Sequence, residues 1–151
     1  MSDHDPFNLD RFVAAQASTF ETALDELRSG RKRSHWMWFI FPQLRGLGSS
    51  SMATFYGIVS LAEARAFLAH AQLGPRLLLC TKAVLGARER SLHVIFGSPD
   101  DMKFCSCMTL FALAMDNNER AFREALARFC EGRMDPATVR LLAQTGSPTA
   151  R

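Results

Sequence analysis

The densest run of side chains able to do chemistry is Gly30-Arg31-Lys32-Arg33-Ser34-His35-Trp36-Met37-Trp38-Phe39-Ile40-Phe41-Pro42-Gln43. Three cations, a histidine and two indoles near one helix start could hold a phosphate or another anion, because free backbone amides and positive charge converge there. Trp36 or Trp38 could stack on a flat ring, Gln43 could hydrogen-bond its edge, and Arg45 lies just beyond. The bland alternative is a solvated turn at residues 31–33 followed by core aromatics. Two indoles two residues apart on a helix point in different directions, so only one need be buried.

His35 lacks a nearby acid that could orient its ring as a general base, so a partner must come from elsewhere in the chain. Asp100 and Asp101 are the natural suppliers, with Lys103 and Thr109 on the same expected helix; the competing role of the two aspartates is helix capping. Cys105 and Cys107 would project about 200° apart on a helix, which does not make a zinc clamp. No CxxC or HxxxH pair occurs, so no metal site and no cofactor is expected. Gly46-Leu47-Gly48-Ser49-Ser50-Ser51 lacks the lysine of a phosphate-binding P-loop and reads as a flexible turn.

These residues need a scaffold, and apolar spacing supplies one made of helices. Short helices are expected over residues 7–16 and, after a Ser18/Glu21 capping box, from Phe20 to a stop at Gly30. Ser34 could cap a helix over 36–41, with Pro42 restricting its end. Further helices are expected around 52–56, from the Ser60/Glu63 capping box to about 73, and from Pro75 as a first helical residue to about 90. Residues 91–96 are ambiguous between a helical turn and a strand. Ser98-Pro99-Asp100-Asp101 opens a helix to about Met115; the last two helices span 119–131 and the stretch after Asp135-Pro136. The fold class is all-α: a single compact multihelical domain of short and medium helices over residues 1–151, with a core from about 7 to 143 and short polar termini.

Composition agrees with a globular core and excludes wholesale disorder: 48% of residues are hydrophobic and 22% charged. Twelve Phe against one Tyr points to a core of rings without polar handles. The net charge of +3 is too small for a dedicated nucleic-acid coat. Its distribution says more: six carboxylates lie in residues 1–26, then none until Glu63, and that acid-free window holds Arg28, Arg31, Lys32, Arg33 and Arg45. With no targeting pattern, and no apolar run longer than residues 36–41, a cytoplasmic chain without a membrane span is expected. The four cysteines, each in an apolar helix-patterned stretch, are expected to be reduced thiols.

Gly30-Arg31-Lys32, His35-Trp36-Met37-Trp38, Phe41-Pro42-Gln43, Gly46-Leu47-Gly48, Leu73-Gly74-Pro75-Arg76-Leu77, Asp101 with Lys103, and Met108-Thr109-Leu110-Phe111 together resemble a bacterial family catalogued as domain of unknown function number 1810. The resemblance covers about residues 7–142 and implies a compact multihelical fold, but no activity. The family is sometimes labelled calpastatin, a name that belongs to disordered, repeat-containing chains unlike this one. A fainter similarity is to helical proteins acting on ADP-ribose, but their acid before an aromatic pair is missing from Ser34-His35-Trp36.

Two functions of different kinds follow. In the first, Lys32, Arg33, His35, Trp36, Trp38, Gln43 and Arg45, closed by Asp101 and Lys103, bind an anionic small molecule or nucleotide, with or without a reaction. In the second, a non-catalytic helical module docks an acidic protein through an apolar patch rimmed by the same bases. Weak, salt-sensitive nucleic-acid binding is a third and poorer fit.

Overall fold

The computed structural model describes residues 4–88, 91–115 and 119–145. Ten helices occupy them: α1 Asp10–Gln16, α2 Phe20–Arg28, α3 Met37–Ile40, α4 Ser51–Phe55, α5 Leu61–Ala69, α6 Leu73–Gly86, α7 Leu92–Phe96, α8 Asp100–Ala114, α9 Ala121–Phe129 and α10 Pro136–Thr145. The protein is all-α; among the described residues the sole extended pairing is a parallel bridge between Leu44 and Ile58.

Helix α8 is the hub. Beyond its first turn it is apolar almost all round, as a helix with neighbours on several faces is, and α5, α7, α9 and α10 pack on it while α2 lies on α6. The expected phenylalanine-rich core is present, with Phe12, Phe41, Phe67, Phe104, Phe111 and Phe122 wholly buried, but Trp36 joins them and brings a polar N–H inside. Phe12 meets Phe67 and Phe41 meets Phe104 edge to face, each at 5.1 Å, while Phe111 meets Phe67 and Phe122 at a tilt. Thr109 Oγ1 accepts from the Asp135 amide at 2.8 Å, fixing the start of α10 against α8.

Helix starts follow local amide chemistry, though not always from the residues expected. Ser60 Oγ accepts from the Glu63 amide, as a capping box requires. The Glu63 carboxylate, however, turns to the Val59 amide and to Arg11. The Ser18/Glu21 box does not form, because a turn joining α1 to α2 makes Thr19 the cap position. Asp5 starts α1 by accepting from the Leu9 and Asp10 amides; the Leu9 bond holds its carboxyl below the usual range against the opposing pull of partial burial. His70 starts α6 through Nδ1, which accepts from Gln72 and Leu73, so Pro75 sits within the first turn rather than at its first position. Helix α6 ends at Gly86, and residues 92–96 are helical. The end expected near residue 90 thus comes earlier, where Ala87 leaves helical geometry for extended backbone.

The cysteines correct one expectation. Cys105 and Cys130 form a disulfide, Cα to Cα 6.0 Å, between α8 and the residue that follows α9. Cys105 and Cys107 do project to different sides of α8: Cys107 enters the core, whereas half-exposed Cys105 meets the end of the neighbouring helix. Cys80 and Cys107 stay as thiols; burial pushes Cys80 up to about 12 and raises Cys107 as well.

Candidate functional site

The basic turn before α3 is built around a carboxylate. Glu26, on the last turn of α2, accepts from the Arg33 amide at 2.8 Å, the Ser34 amide at 3.1 Å, Ser34 Oγ at 2.6 Å and Trp36 Nε1 at 2.9 Å. Partial burial alone would raise its pKa, but these four donors prevail and hold it at about 2. Ser34 therefore secures the turn and not the helix start, and Trp36 is wholly interior with its one polar atom satisfied. An indole so placed has no face left for a ligand. Lys32 is also engaged: its amide donates to Ile95, its ammonium lies 3.0 Å from Asp100, and it sits over the Trp36 ring. Arg31, Arg33 and His35 are exposed.

Trp38, two residues further on, takes the other role. It is half-buried and lines a small recess together with Met37, Phe41, Gln43, Ala53, Tyr56, Gly57 and Lys103. Two backbone bonds seat Gln43 there: the Ile58 amide donates to Gln43 at 3.0 Å and the Arg45 amide to Ile58 at 2.8 Å. Gly57 permits the approach, since a Cβ there would lie 2.6 Å from Arg45 Cβ and 2.9 Å from the Ala53 carbonyl oxygen. Lys103 Nζ stands 5.9 Å from the Trp38 ring centroid and 3.7 Å from Asp100, which also binds Lys32.

The expected pocket is thus only partly assembled. Trp38, Gln43 and Lys103 share the recess, and Lys32 is linked to it through Asp100. Arg33 and His35 point to solvent from the turn, and exposed Arg45 donates from Nε to the Thr54 carbonyl at 3.0 Å. Asp101 bonds the Met102 amide and stands 3.5 Å from His93. Two residues escaped the sequence reasoning. Tyr56 carried one signal, being the only tyrosine among twelve phenylalanines; Glu26, ten positions before Trp36, carried none.

The recess has free space of about 10 Å³, room for one water. Its surface is almost wholly apolar, yet three of its lining residues, Trp38, Gln43 and Tyr56, carry polar groups that make no hydrogen bond to another described residue. Elsewhere comparable groups are consumed. Arg11 makes five hydrogen bonds, to the carbonyls of Phe7, Asn8, Phe55 and Gly57 and to Glu63 at 2.8 Å. Among the described residues no group of three metal-ligating side chains forms, and no helix is long and apolar enough to cross a membrane.

The family described as Protein of unknown function (DUF1810) matches residues 6–142. The chain belongs to this family. It is also similar to the crystal structure of the conserved hypothetical protein Rv1873 from Mycobacterium tuberculosis, at 57% identity and a TM-score of 0.89, covering 92% of this chain and 99% of that one. No curated protein matches. The family is the one that the sequence resembles, its solved relative is bacterial, and nothing supports the calpastatin label.

Proposed function

We propose that the protein binds a small molecule in the recess between α3, α4 and α8, with Trp38, Gln43, Tyr56 and Lys103 as its contacts. One observation carries this reading: Trp38, Gln43 and Tyr56, whose polar groups make no hydrogen bond to another described residue, line one almost wholly apolar hollow together with Lys103. A few polar groups set among apolar walls is the usual make-up of a ligand site. The ligand enters by displacing α4, which buries none of its own residues. Arg45 and Arg11 hold α4 through its Thr54 and Phe55 carbonyls. The reading assigns binding at these residues and no reaction.

The test is a fragment screen read by amide and side-chain nitrogen–proton spectra. Ligands of this site shift the Trp38 indole and Gln43 carboxamide signals first. Hits that move only other regions, or a broad library with no hit, would overturn the proposal.

A second reading, docking of a protein partner, draws on Phe55 and Val59, 51% and 41% exposed, which line an open groove with Phe7 and Arg45. This apolar surface adjoins Arg45. Loss of a co-purifying partner on Phe55→Ser, with recess shifts unaffected, would favour it.

A further inference from the structure

Resting on the recess reading, the geometry points to a ligand class: we infer that the site takes a single-ring aromatic acid carrying one negative charge, and not a nucleotide.

The charge count is the first argument. The recess has one cation, Lys103, and its nearest carboxylate, Asp100, is shared with Lys32 at the shorter distance of 3.0 Å against 3.7 Å. Two ammoniums on one carboxylate leave a single positive charge uncompensated. Asp101 does not cancel it, because it lies about 200° round the helix from Lys103 and faces His93. A carboxylate matches one surplus charge. A diphosphate or a phosphate dianion needs more, and the residues that could supply it, Arg31, Arg33 and Arg45, do not line the recess.

The walls give the second argument. Trp38, Tyr56 and Phe41 offer aromatic surface, and Gln43, Tyr56 and the Trp38 indole can bond a ring substituent. The third is size. The free space is only about 10 Å³, so each group of a ligand has to be made room for. Moving α4 opens space for one ring more readily than for a base, a ribose and phosphates together.

The experiment is calorimetric titration of the full chain with benzoate, benzamide, phenyl phosphate and ADP-ribose, with nitrogen–proton spectra recorded on each. Expected is benzoate binding that shifts the Trp38 indole signal, benzamide at least tenfold weaker, and phenyl phosphate no tighter than benzoate. Lys103→Met should bring benzoate down to the benzamide level, Lys103→Arg should restore part of it, and Arg33→Met should change nothing. Equal binding of benzoate and benzamide, or ADP-ribose at least tenfold tighter than benzoate with the Trp38 signal still responding, overturns the ligand class but leaves the recess as the site. Absence of any Trp38 shift with all four probes overturns the class; the fragment screen above then decides the site.

Discussion

Glu26 holds together a segment that bears no apolar explanation of its own, so removing it measures how the basic turn is built. In Glu26→Ala the interior Trp36 Nε1 loses its acceptor, which costs about 1–3 kcal/mol for an unsatisfied buried donor. The Arg33 and Ser34 amides are nearer solvent and can turn to water, adding about 1 kcal/mol together. The expected loss at neutral pH is therefore about 2–4 kcal/mol. The charge contributes through linkage. The folded pKa, about 2, lies below the ordinary 4.5, so the stabilisation is fully present above pH 4.5 and is lost as pH falls towards 2. The full shift would correspond to ~3 kcal/mol, but the carboxylate is partly open to solvent, and screening reduces the expected share to about 1–2 kcal/mol. Urea unfolding of wild type, Glu26→Gln and Glu26→Ala at pH 7 and at pH 2.5 reads both parts. The gap between wild type and Glu26→Gln should narrow at the acid end, and Trp36→Phe in a double-mutant cycle with Glu26→Ala should show coupling of about 1 kcal/mol or more. A pH-independent gap, or no coupling, refutes the reasoning.

Three further outcomes follow from packing. Gly74→Ala would place a Cβ 2.0 Å from the Leu68 carbonyl oxygen, with backbone on both sides; a loss of about 3 kcal/mol is expected, seen as a melting temperature lower by about 10 °C. Arg11→Met strands the buried Glu63 carboxylate and four carbonyls, costing about 3–5 kcal/mol in urea unfolding, while Arg11→Lys keeps the charge but not the planar fork and falls between. Among the described residues Thr81 Oγ1 is buried without a hydrogen-bond partner, so Thr81→Val should be neutral or stabilise by up to about 1 kcal/mol; a clear loss would mean that the hydroxyl has a partner.

Much of the fold was legible because helix formation is decided within a few residues. The apolar spacing of Ala23, Leu24 and Leu27, the Ser60 hydroxyl ahead of Glu63, and Asp135 ahead of Pro136 each encode a feature that the structure contains. What failed depended on partners further away. Ser18 and Glu21 have the spacing of a cap, yet a turn at 17–19 moved the helix start by one residue. Nothing local to Trp36 and Trp38 says which is interior; the choice was made by Glu26, a helix away. Gln43 and Tyr56 meet because a loop folds back through the Leu44–Ile58 bridge, a pairing too short to leave a strand-like pattern. The disulfide joins residues 25 apart in sequence, and only the seating of α9 on α8 aligns them.

That bond makes a closed ring of chain out of most of α8, all of α9 and the stretch between them. The ring survives denaturation unless a reductant is present, so the denatured chain has fewer shapes available, by an amount that loop-closure models put at about 3–4 kcal/mol for such a span. Two samples with identical native contacts can therefore unfold at different urea concentrations solely because their buffers differ in thiol content. Any ranking of variants of this protein is a ranking at one redox condition.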